Sequence, residues 1–272
     1  MAFNPQVFGS LAFPDNLMTL TLTPLTGIPL VNPGDSLVDV IFQALLENQI
    51  TLMDGDILVL AQKIVSKAEG RFINITTVTP SAAATELAQK TEKDARFLEL
   101  VLQESEEVLR TRPGTIIVQH KIGFVCANAG IDHSNVKGSW GNAEDWELLL
   151  PIDPDQSAQG IRDGLEKLTL ATIGVLIIDS HGRAWRMGAV GVAIGLAGLP
   201  GLVDLRGETD LYGYQLRVTQ VAAADELAAA ASLMMGQAAE GTPIVHVRGF
   251  PYPMREGSLQ ELIRPKEMDM FR

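Results

Sequence analysis

The chain contains only one cysteine, Cys126, among its 272 residues. A single thiol excludes an intrachain disulfide and is typical of a protein from a reducing compartment. Basic residues are also in the minority, because 21 lysines and arginines face 33 acidic residues and leave a net charge of −12. This balance argues against a general nucleic-acid binder, although a locally basic pocket for a single nucleotide remains open.

The sequence lacks a long uninterrupted apolar run. The longest candidate, residues 187–203, is slightly short for a membrane span and contains five glycines and Pro200. The first 25 residues have no basic segment ahead of an apolar one, so they do not resemble a secretory signal. We therefore expect a cytoplasmic protein that has no membrane partner.

Several signatures of nucleotide and metal sites are also missing. There is no phosphate loop of the GxxxxGKS/T type, no HExxH motif and no paired CxxC motif. The glycines within residues 188–198 are spaced wrongly for a dinucleotide-binding turn. The histidines show no metal-ligand spacing and are interpreted as ordinary polar residues: His120, His133, His181 and His246.

Helical and strand patterns alternate without a regular βαβ period, which favours an α+β fold. The length allows one large domain or two closely packed ones, with residues 1–20 as a loosely attached arm and 21–272 as the main unit. Helices are predicted from a cap at Asp35 or Ser36 to about residue 48, over 81–110 with a break near 90–93, and over 156–168 and 223–235. Strands are predicted over 57–61, 115–120, 124–127, 174–178, 215–219 and 243–247, and a polar loop over 140–149.

Two lysines, Lys63 and Lys67, follow the apolar strand 57–61 in a segment that is otherwise apolar or small. Lysine is costly to bury unless it meets an anion, so this pair indicates a phosphate or carboxylate site at the end of the strand. Two solvated lysines on a loop would be the commoner arrangement. The spacing alone leaves both interpretations open.

Small polar clusters follow three other segments, at residues 128–135, 179–183 and 235–242. Asp132 and Asp179 come after apolar strands and could share a metal ion, and the oxygen donors of Asp, Ser and Gln suit Mg²⁺ or Mn²⁺ better than zinc. Either aspartate alone is better explained as a cap or turn residue. Arg183 and Arg186 could hold an anionic substrate, or could pair with neighbouring acids.

In this order, the clusters resemble those of the γ-glutamyl ligase family of the deazaflavin coenzyme F420. The resemblance covers roughly residues 20 to 250 in register, which is far more than one motif gives by chance. The matching segments are 27–31 with 34–35, 55–71, 104–109, 125–136, 150–155 with 157–158, 179–183, 190–195, 210–213 with 218–219, and 233–236.

The resemblance implies a GTP-dependent ligase that joins L-glutamate to the tail carboxylate of the coenzyme F420 precursor and then adds further glutamates by γ-linkage. It also implies two Mg²⁺ or Mn²⁺ ions, stimulation by K⁺, and the family's own two-domain α+β fold in an intertwined homodimer. Activation of the carboxylate as an acyl phosphate needs positioned cations rather than a protein nucleophile. The sequence shows no nucleophile–base pair, which agrees with that chemistry.

By matching motif, the resemblance implies that Lys67, Asp132 and Asp179 are catalytic. The metal ligands would be Asp132, Asp179, Ser180 and Gln237. The GTP site would be lined by Ile28, Pro29, Leu30, Val31, Gln62, Lys63, Lys67, Asn135, Met235, Gly236, Gln237, Ala238, Ala239, Glu240, Gly241 and Thr242.

The chain departs from the family pattern at a few positions. Gln237 stands where some members have glutamate, Tyr214 stands where arginine is common, and residues 140–149 form an insertion. Two alternatives remain: a paralogous γ-glutamyl or aminoacyl ligase that acts on another carboxylate, and a nucleotide-binding regulator that has lost catalysis.

Overall fold

The computed structural model describes residues 19–138 and 141–270, so the predicted arm of residues 1–20 lies almost entirely outside the described residues. Within this part of the chain the helices are α1 (Leu37–Glu47), α2 (Gln62–Ala68), α3 (Ala82–Thr91), α4 (Ala95–Gln103), α5 (Pro154–Thr169) and α6 (Ala223–Met235). The strands are β1 (Thr21–Pro24), β2 (Ile57–Ala61), β3 (Phe72–Asn74), β4 (Ser105–Arg112), β5 (Thr115–His120), β6 (Val125–Ala127), β7 (Trp146–Leu148), β8 (Gly174–Arg183), β9 (Arg186–Ala197), β10 (Val203–Asp204), β11 (Gln220–Val221) and β12 (Ile244–Arg248). The predicted α+β class is confirmed.

A five-stranded sheet with the order β1-β12-β2-β8-β9 forms the centre of the molecule. Strands β2 and β8 run parallel, and the other neighbours run antiparallel. The sequence of β2 is apolar at every position because side chains pack on both faces of the sheet, so neither face needs polar residues. The next residue after β2 begins α2, which places this helix at the end of a buried strand.

Helices α1 and α5 cover one face of the central sheet, and α6 covers the other. Ile41 of α1 and Leu165 of α5 share a buried cluster with Leu60 of β2. On the opposite face, Leu227 of α6 shares a buried cluster with Leu176 of β8. Each such side chain stabilises the fold by about 1.5 to 3 kcal/mol through its removal from water. The helices are therefore fixed by their apolar stripes, which the sequence already displays.

Helix α6 approaches β9 closely at Gly191. A Cβ atom at this position would lie 2.5 Å from the Ala228 carbonyl oxygen and 2.6 Å from the Cβ of Ser232. Gly191 pairs across the sheet with Ser180 of β8. A larger residue would push α6 away from the sheet, so the glycine brings the last turns of α6 near the polar part of β8.

A separate buried cluster lies between helices α3 and α4 and the three-stranded sheet β4-β5-β6. Its fully buried members include Leu98 and Val101 of α4 and Ile116 and Val118 of β5. The division of residues 21–272 into two packed subdomains stays a prediction. Across residues 19–138 and 141–270, no helix combines the length and hydrophobicity needed to cross a bilayer.

The predicted helix over residues 81–110 is wrong in its last part. The break near residues 90–93 is confirmed, but α4 ends at Gln103 and residues 105–112 form β4. Val108, which lies within the predicted helix, instead pairs with Val118 of β5. The turn at Pro113-Gly114, with Gly114 at φ +77°, folds β4 onto β5. Pairing across this hairpin outweighs the local helical pattern.

Two further predictions from polar segments are corrected. Trp140 lies outside the described residues, but Trp146–Leu148 form the buried strand β7 rather than a loop, and β7 pairs with β3. The Trp146 ring packs edge-on against Phe72 with 6.4 Å between ring centroids, which anchors β7. No strand forms over residues 215–219. Gln215 makes a single bridge to Thr209, and the strand in this region is β11.

The strand predicted over residues 174–178 is longer in the structure. β8 continues through Asp179 to Arg183. Its outer half pairs with β9 in a long hairpin whose tip is exposed, with Trp185 89% and Met187 96% accessible. Polar residues are tolerated there because the outer half of the hairpin faces solvent. The remaining predicted elements are confirmed to within about two residues, namely α1, α5, α6, β2, β5, β6 and β12.

Candidate active site

A pocket of about 420 Å³ contains most of the predicted site residues and is here called the main cavity. It is bordered by the 28–31 segment, α2, the middle of β8 and the loop that follows α6. Every residue predicted to bind nucleotide lines this pocket. Of the predicted metal ligands, Asp179, Ser180 and Gln237 line it too, while Asp132 borders it through contacts with two lining residues. Segments more than 200 residues apart in the chain thus meet at one place, although their roles stay predictions.

Helix α2 carries both lysines into the main cavity, so the interpretation of two lysines on a loop is wrong. Lys63 and Lys67 are four residues apart and therefore share one face of the helix. The Lys63 ammonium lies 3.3 Å from Asp132 Oδ1 and donates to Ser134 Oγ at 3.0 Å. The Lys67 ammonium donates to the Asn135 carbonyl oxygen at 2.8 Å. Both cations are held in place by the 132–135 segment.

The environment of Lys67 disfavours its charge. Burial lowers the pKa of the Lys67 ammonium, the neighbouring Lys63 lowers it further, and Asp132 partly offsets both. The two neighbouring ammonium groups repel each other, which disfavours the charged form of Lys67. An anionic ligand would relieve this repulsion.

Asp132 is a partly buried carboxylate whose charge is only partly offset by its neighbours. Burial raises its pKa to about 6, and the nearby Asp179 contributes, against the opposing effects of Lys63 and Gln62. The Gln62 amide donates to Asp132 Oδ2 at 2.5 Å, and Gln62 is itself fixed by a 2.8 Å hydrogen bond from Ser66. The interaction with Asp179 shows that the two carboxylates, 47 positions apart in the sequence, lie near each other.

Asp179 and Ser180 lie on β8, where the strand leaves the buried part of the sheet. The His181 Nε2 atom is 3.0 Å from Asp179 Oδ2. This histidine therefore belongs to the site, although its sequence pattern indicated only an ordinary polar residue. The Ser180 hydroxyl donates to Gln237 Oε1 at 2.9 Å, and the Gln237 amide donates to Ser232 Oγ at 2.9 Å. This chain of hydrogen bonds ties β8 to the end of α6.

The loop over residues 235–242 closes one side of the main cavity. Gly236 has φ +73°, and a Cβ there would lie 2.2 Å from the Glu240 side chain. The Glu240 carboxylate accepts from the Ala238 amide at 2.8 Å, and the Asn135 side chain donates to the Ala238 carbonyl at 2.9 Å. The loop is therefore shaped by its own backbone and by the 132–135 segment.

The donors around Asp132 suit a hard cation. Two aspartates, a serine hydroxyl and a glutamine amide oxygen are all oxygen ligands, and the pKa of Asp132 stays raised by burial and by Asp179 although the Lys63 ammonium lies 3.3 Å away. Among the described residues, no three His, Cys, Asp or Glu side chains form a metal-binding cluster. Mg²⁺ commonly takes one or two protein carboxylates and completes its shell with phosphate oxygens and water. The donor set fits an ion held jointly with a phosphate ligand.

Some residues of the site were missed or misjudged from the sequence. Ser232 lines the main cavity and holds Gln237, but its position on a helix gave no signal of this role. His181 could have been suspected, since residues i and i+2 on a strand share a face and Asp179 precedes it by two. Arg183 and Arg186 lie on the exposed hairpin tip and do not line the main cavity.

Comparison with known proteins gives a consistent result. Residues 27–249 match the family model described as F420-0:Gamma-glutamyl ligase. A protein of Methanothermobacter thermautotrophicus named Coenzyme F420:L-glutamate ligase is 47% identical over 257 residues, which cover 94% of this chain and 100% of that protein. Proteins of the same name from Methanopyrus kandleri and Archaeoglobus fulgidus are each 43% identical, over 94% of this chain and 99% and 97% of their own lengths.

Proposed function

This chain belongs to the F420-0:gamma-glutamyl ligase family, and we propose that it joins L-glutamate to the tail carboxylate of a coenzyme F420 precursor at the expense of GTP, then adds further glutamates by γ-linkage. The observation that carries the proposal is the convergence of the 28–31, 62–67, 132–135, 179–180 and 235–242 segments on one cavity. Relatives that bear the ligase name align with nearly the whole chain, which supports the same reaction here.

The nucleotide is proposed to occupy the main cavity with its phosphates toward α2. The Lys63 and Lys67 ammonium groups supply positive charge there, and both are already oriented by the 134–135 backbone. The apolar 28–31 segment and the 235–242 loop line the rest of the cavity, and the base and ribose are proposed to contact them. Burial depresses the pKa of Lys67, and a phosphate beside it would restore the usual preference for the charged form.

The proposed chemistry is transfer of the γ-phosphoryl group of GTP to the precursor carboxylate. GDP is the leaving group of this transfer. The unprotonated amine of L-glutamate then attacks the acyl phosphate, an amide bond forms, and inorganic phosphate and the amine proton leave. When bound, Mg²⁺ or Mn²⁺ supplies charge neutralisation at the transferring phosphoryl group. Asp132, Asp179, Ser180 and Gln237 would hold such ions, and Lys67 orients the phosphate oxygens.

We also propose that the protein works as a homodimer. Large apolar side chains are exposed on the segment between β10 and β11, with Leu211 80%, Tyr212 95% and Val218 84% accessible. The tip of the β8–β9 hairpin adds Trp185 and Met187. Monomers rarely expose apolar patches of this extent, so a second copy of the chain is their proposed cover. Light scattering coupled to gel filtration tests this.

A reconstituted reaction tests the function. The purified protein is incubated with the coenzyme F420 precursor, L-glutamate, GTP, K⁺ and Mn²⁺ or Mg²⁺, and the products are identified by mass spectrometry. We expect glutamylated precursor and inorganic phosphate, and none when GTP is omitted or the divalent ion is chelated. ATP in place of GTP, and omission of K⁺, test the nucleotide and monovalent-ion requirements.

Two other outcomes would contradict the proposal. Glutamate transfer only to a different carboxylic acid would identify a paralogous ligase. GTP binding without ligation, when glutamate and precursor are both present, would identify a non-catalytic regulator.

A further inference from the structure

A second pocket, here called the side cavity, has a volume of about 350 Å³ and adjoins Asp132. The Asp132 side chain contacts Gln62 and Lys63 of the main cavity. Its sequence neighbour His133 lines the side cavity, and the backbone bridge between Asp132 and Leu148 brings Glu147 to the same place. Asp132 therefore lies between residues of the two cavities, and the proposed chemistry of the main cavity does not use the second one.

The side cavity contains buried acceptor atoms that lack donors. Glu147 is only 7% exposed, and among the described residues its Oε2 atom has no hydrogen-bond partner. The Oδ1 atom of Asn128, which lines the same cavity, is likewise buried without a partner in the described part of the chain. Buried polar atoms are normally satisfied, so two unmatched oxygens in one cavity indicate a ligand that donates hydrogen bonds.

The neighbours of Glu147 reach one of its two carboxylate oxygens, Oε1, and leave Oε2 unmatched among the described residues. The His133 Nδ1 atom lies 3.6 Å from Glu147 Oε1 and 3.2 Å from the Trp146 carbonyl oxygen. The Glu147 carboxylate is buried with one unmatched oxygen, and it precedes Leu148, which bridges to Asp132. A ligand group that donates hydrogen bonds would therefore be stabilised at this place.

The remainder of the side cavity is complementary to an anion and to methylene groups. The Lys93 ammonium lies over the Phe97 ring, 5.1 Å from its centroid, and its charge acts on Glu147. The adjacent Asp94 is engaged with Arg96 at 2.6 Å and caps α4, so its charge is already balanced. Phe97 and Ile131 supply apolar wall. One cavity therefore combines unmatched acceptors, an ammonium group and apolar surface.

Building on the proposed ligase function, we propose that the side cavity is the subsite for the incoming amino acid. Glu147 and Asn128 accept hydrogen bonds from the ammonium group of L-glutamate, and Lys93 binds a carboxylate. The methylene groups lie against Phe97 and Ile131. A volume of about 350 Å³ is sufficient for an amino acid of this size. The amine is thereby delivered beside Asp132, where the activated carboxylate would form.

Direct binding of free L-glutamate tests the subsite without requiring turnover. Titration calorimetry or ligand-observed NMR is carried out with the intact protein, with Glu147→Gln and with Lys93→Met. We expect each variant to weaken L-glutamate binding by roughly tenfold or more, because each removes a charge-assisted contact. GTP affinity is expected to be unchanged in both, which also shows that they fold.

Matched controls separate a local effect from a general change of charge. Glu144→Gln removes an exposed carboxylate three residues from Glu147, and Lys90→Met removes an exposed lysine three residues from Lys93. Neither residue lines the side cavity, so both controls should bind L-glutamate as the unaltered protein does. N-acetyl-L-glutamate, which lacks the ammonium group, should bind poorly to the unaltered protein, and Glu147→Gln should lose this discrimination.

Kinetics separate failure of this inference from failure of the proposed function. If the unaltered protein ligates glutamate but Glu147→Gln and Lys93→Met leave the KM for L-glutamate unchanged, the subsite is overturned and the ligase function stands. If the unaltered protein does not ligate, the proposed function falls. The binding titration then decides the subsite, because binding abolished by Glu147→Gln supports it and absence of binding overturns it.

Discussion

Two aspartates lie at opposite ends of β2, Asp56 fully buried and Asp132 partly buried, and the protein offsets their charges differently. Asp56 precedes the strand and accepts from Arg248 at 2.7 Å and from His246 Nε2 at 2.9 Å. Burial alone would raise its pKa, but these hydrogen bonds outweigh burial and hold the pKa well below its usual range. Asp132, beside the other end of β2, has a pKa raised to about 6 by burial and by Asp179.

The difference indicates which carboxylate is structural and which is available for a ligand. Asp56 already has its counter-charge within the protein, because Arg248 and His246 of β12 bind its carboxylate. It therefore stabilises the pairing of β2 with β12 and does not need a bound cation. Asp132 keeps part of its charge unbalanced at the rim of the main cavity, which costs stability in the ligand-free protein. Strained or uncompensated charge is typical of functional sites and is offset elsewhere in the fold.

The largest expected effect is on catalysis. Asp132→Asn should lower kcat/KM for ligation by roughly 100- to 1000-fold, because a charge that positions the phosphoryl group is lost. Asp179→Ala should act similarly. Steady-state phosphate release measures the rate, and circular dichroism checks the fold. Asp56→Asn serves as the matched control and should keep near-normal kcat below its unfolding temperature. Full activity of Asp132→Asn would contradict the catalytic role proposed for Asp132.

The second effect is on stability and should be confined to the structural aspartate. Asp56→Asn should lower the free energy of unfolding at pH 7 by about 2 to 3 kcal/mol, since it leaves Arg248 and His246 without their carboxylate. Because the folded pKa of Asp56 is depressed, its contribution is present above the unfolded value and is lost as the pH falls toward the folded one. Urea unfolding at pH 7 and pH 3, with the exposed Asp39→Asn as control, measures this difference. An equal loss at both pH values would contradict it.

A smaller effect of opposite sign is expected for Asp132 in metal-free protein. Its folded pKa of about 6 exceeds the unfolded value of 3.8, so folding favours the protonated form and the stability falls as the pH rises between these values. Asp132→Asn should therefore gain about 1 to 2 kcal/mol relative to the unaltered chain between pH 4 and pH 7. Urea unfolding of both proteins at pH 4 and pH 7, in the presence of a chelator, measures how the difference in unfolding free energy changes with pH. A difference that is the same at both pH values would show that Asp132 is compensated like Asp56.

The smallest expected effect concerns the hydrogen bond that orients Gln237. Ser232→Ala removes the acceptor of the Gln237 amide, a contact of 2.9 Å, and should raise the KM for GTP a few-fold, in line with about 1 kcal/mol for one hydrogen bond. The kcat should change little, because the catalytic carboxylates are untouched. A loss of kcat comparable to that of Asp132→Asn would place Ser232 in the chemistry and contradict the assignment.

Elements with strong apolar patterns were predictable from the sequence. The unbroken apolar run of β2 and the stripes of α1 and α6 correspond to surfaces buried in the central cores, so local pattern and tertiary environment agree. β4 was misassigned because its residues are mostly exposed and show no alternation that could identify a strand. Its partner β5 and the turn at Pro113-Gly114 decide its conformation, and a local window does not include that pairing.

The sequence could predict which segments contribute to the candidate site, but not the contacts between them. The resemblance named Lys67, Asp132 and Asp179, and the structure brings their segments together, yet nothing in the spacing reveals that Gln62 would bridge α2 to Asp132. Glu147 gave no signal, since it lies in a stretch predicted as a loop. Its burial depends on the pairing of β7 with β3 and on the packing of Trp146.

By itself, the sequence determined the class of fold, the main apolar elements and the residue types available for an anion and a hard cation, because these follow from hydrophobic periodicity and side-chain chemistry. The tertiary structure alone decided which of those residues meet. Burial and the distances between charges set the different ionisation of Asp56 and Asp132 and the unmatched carboxylate of Glu147, and both depend on contacts between segments far apart in the chain.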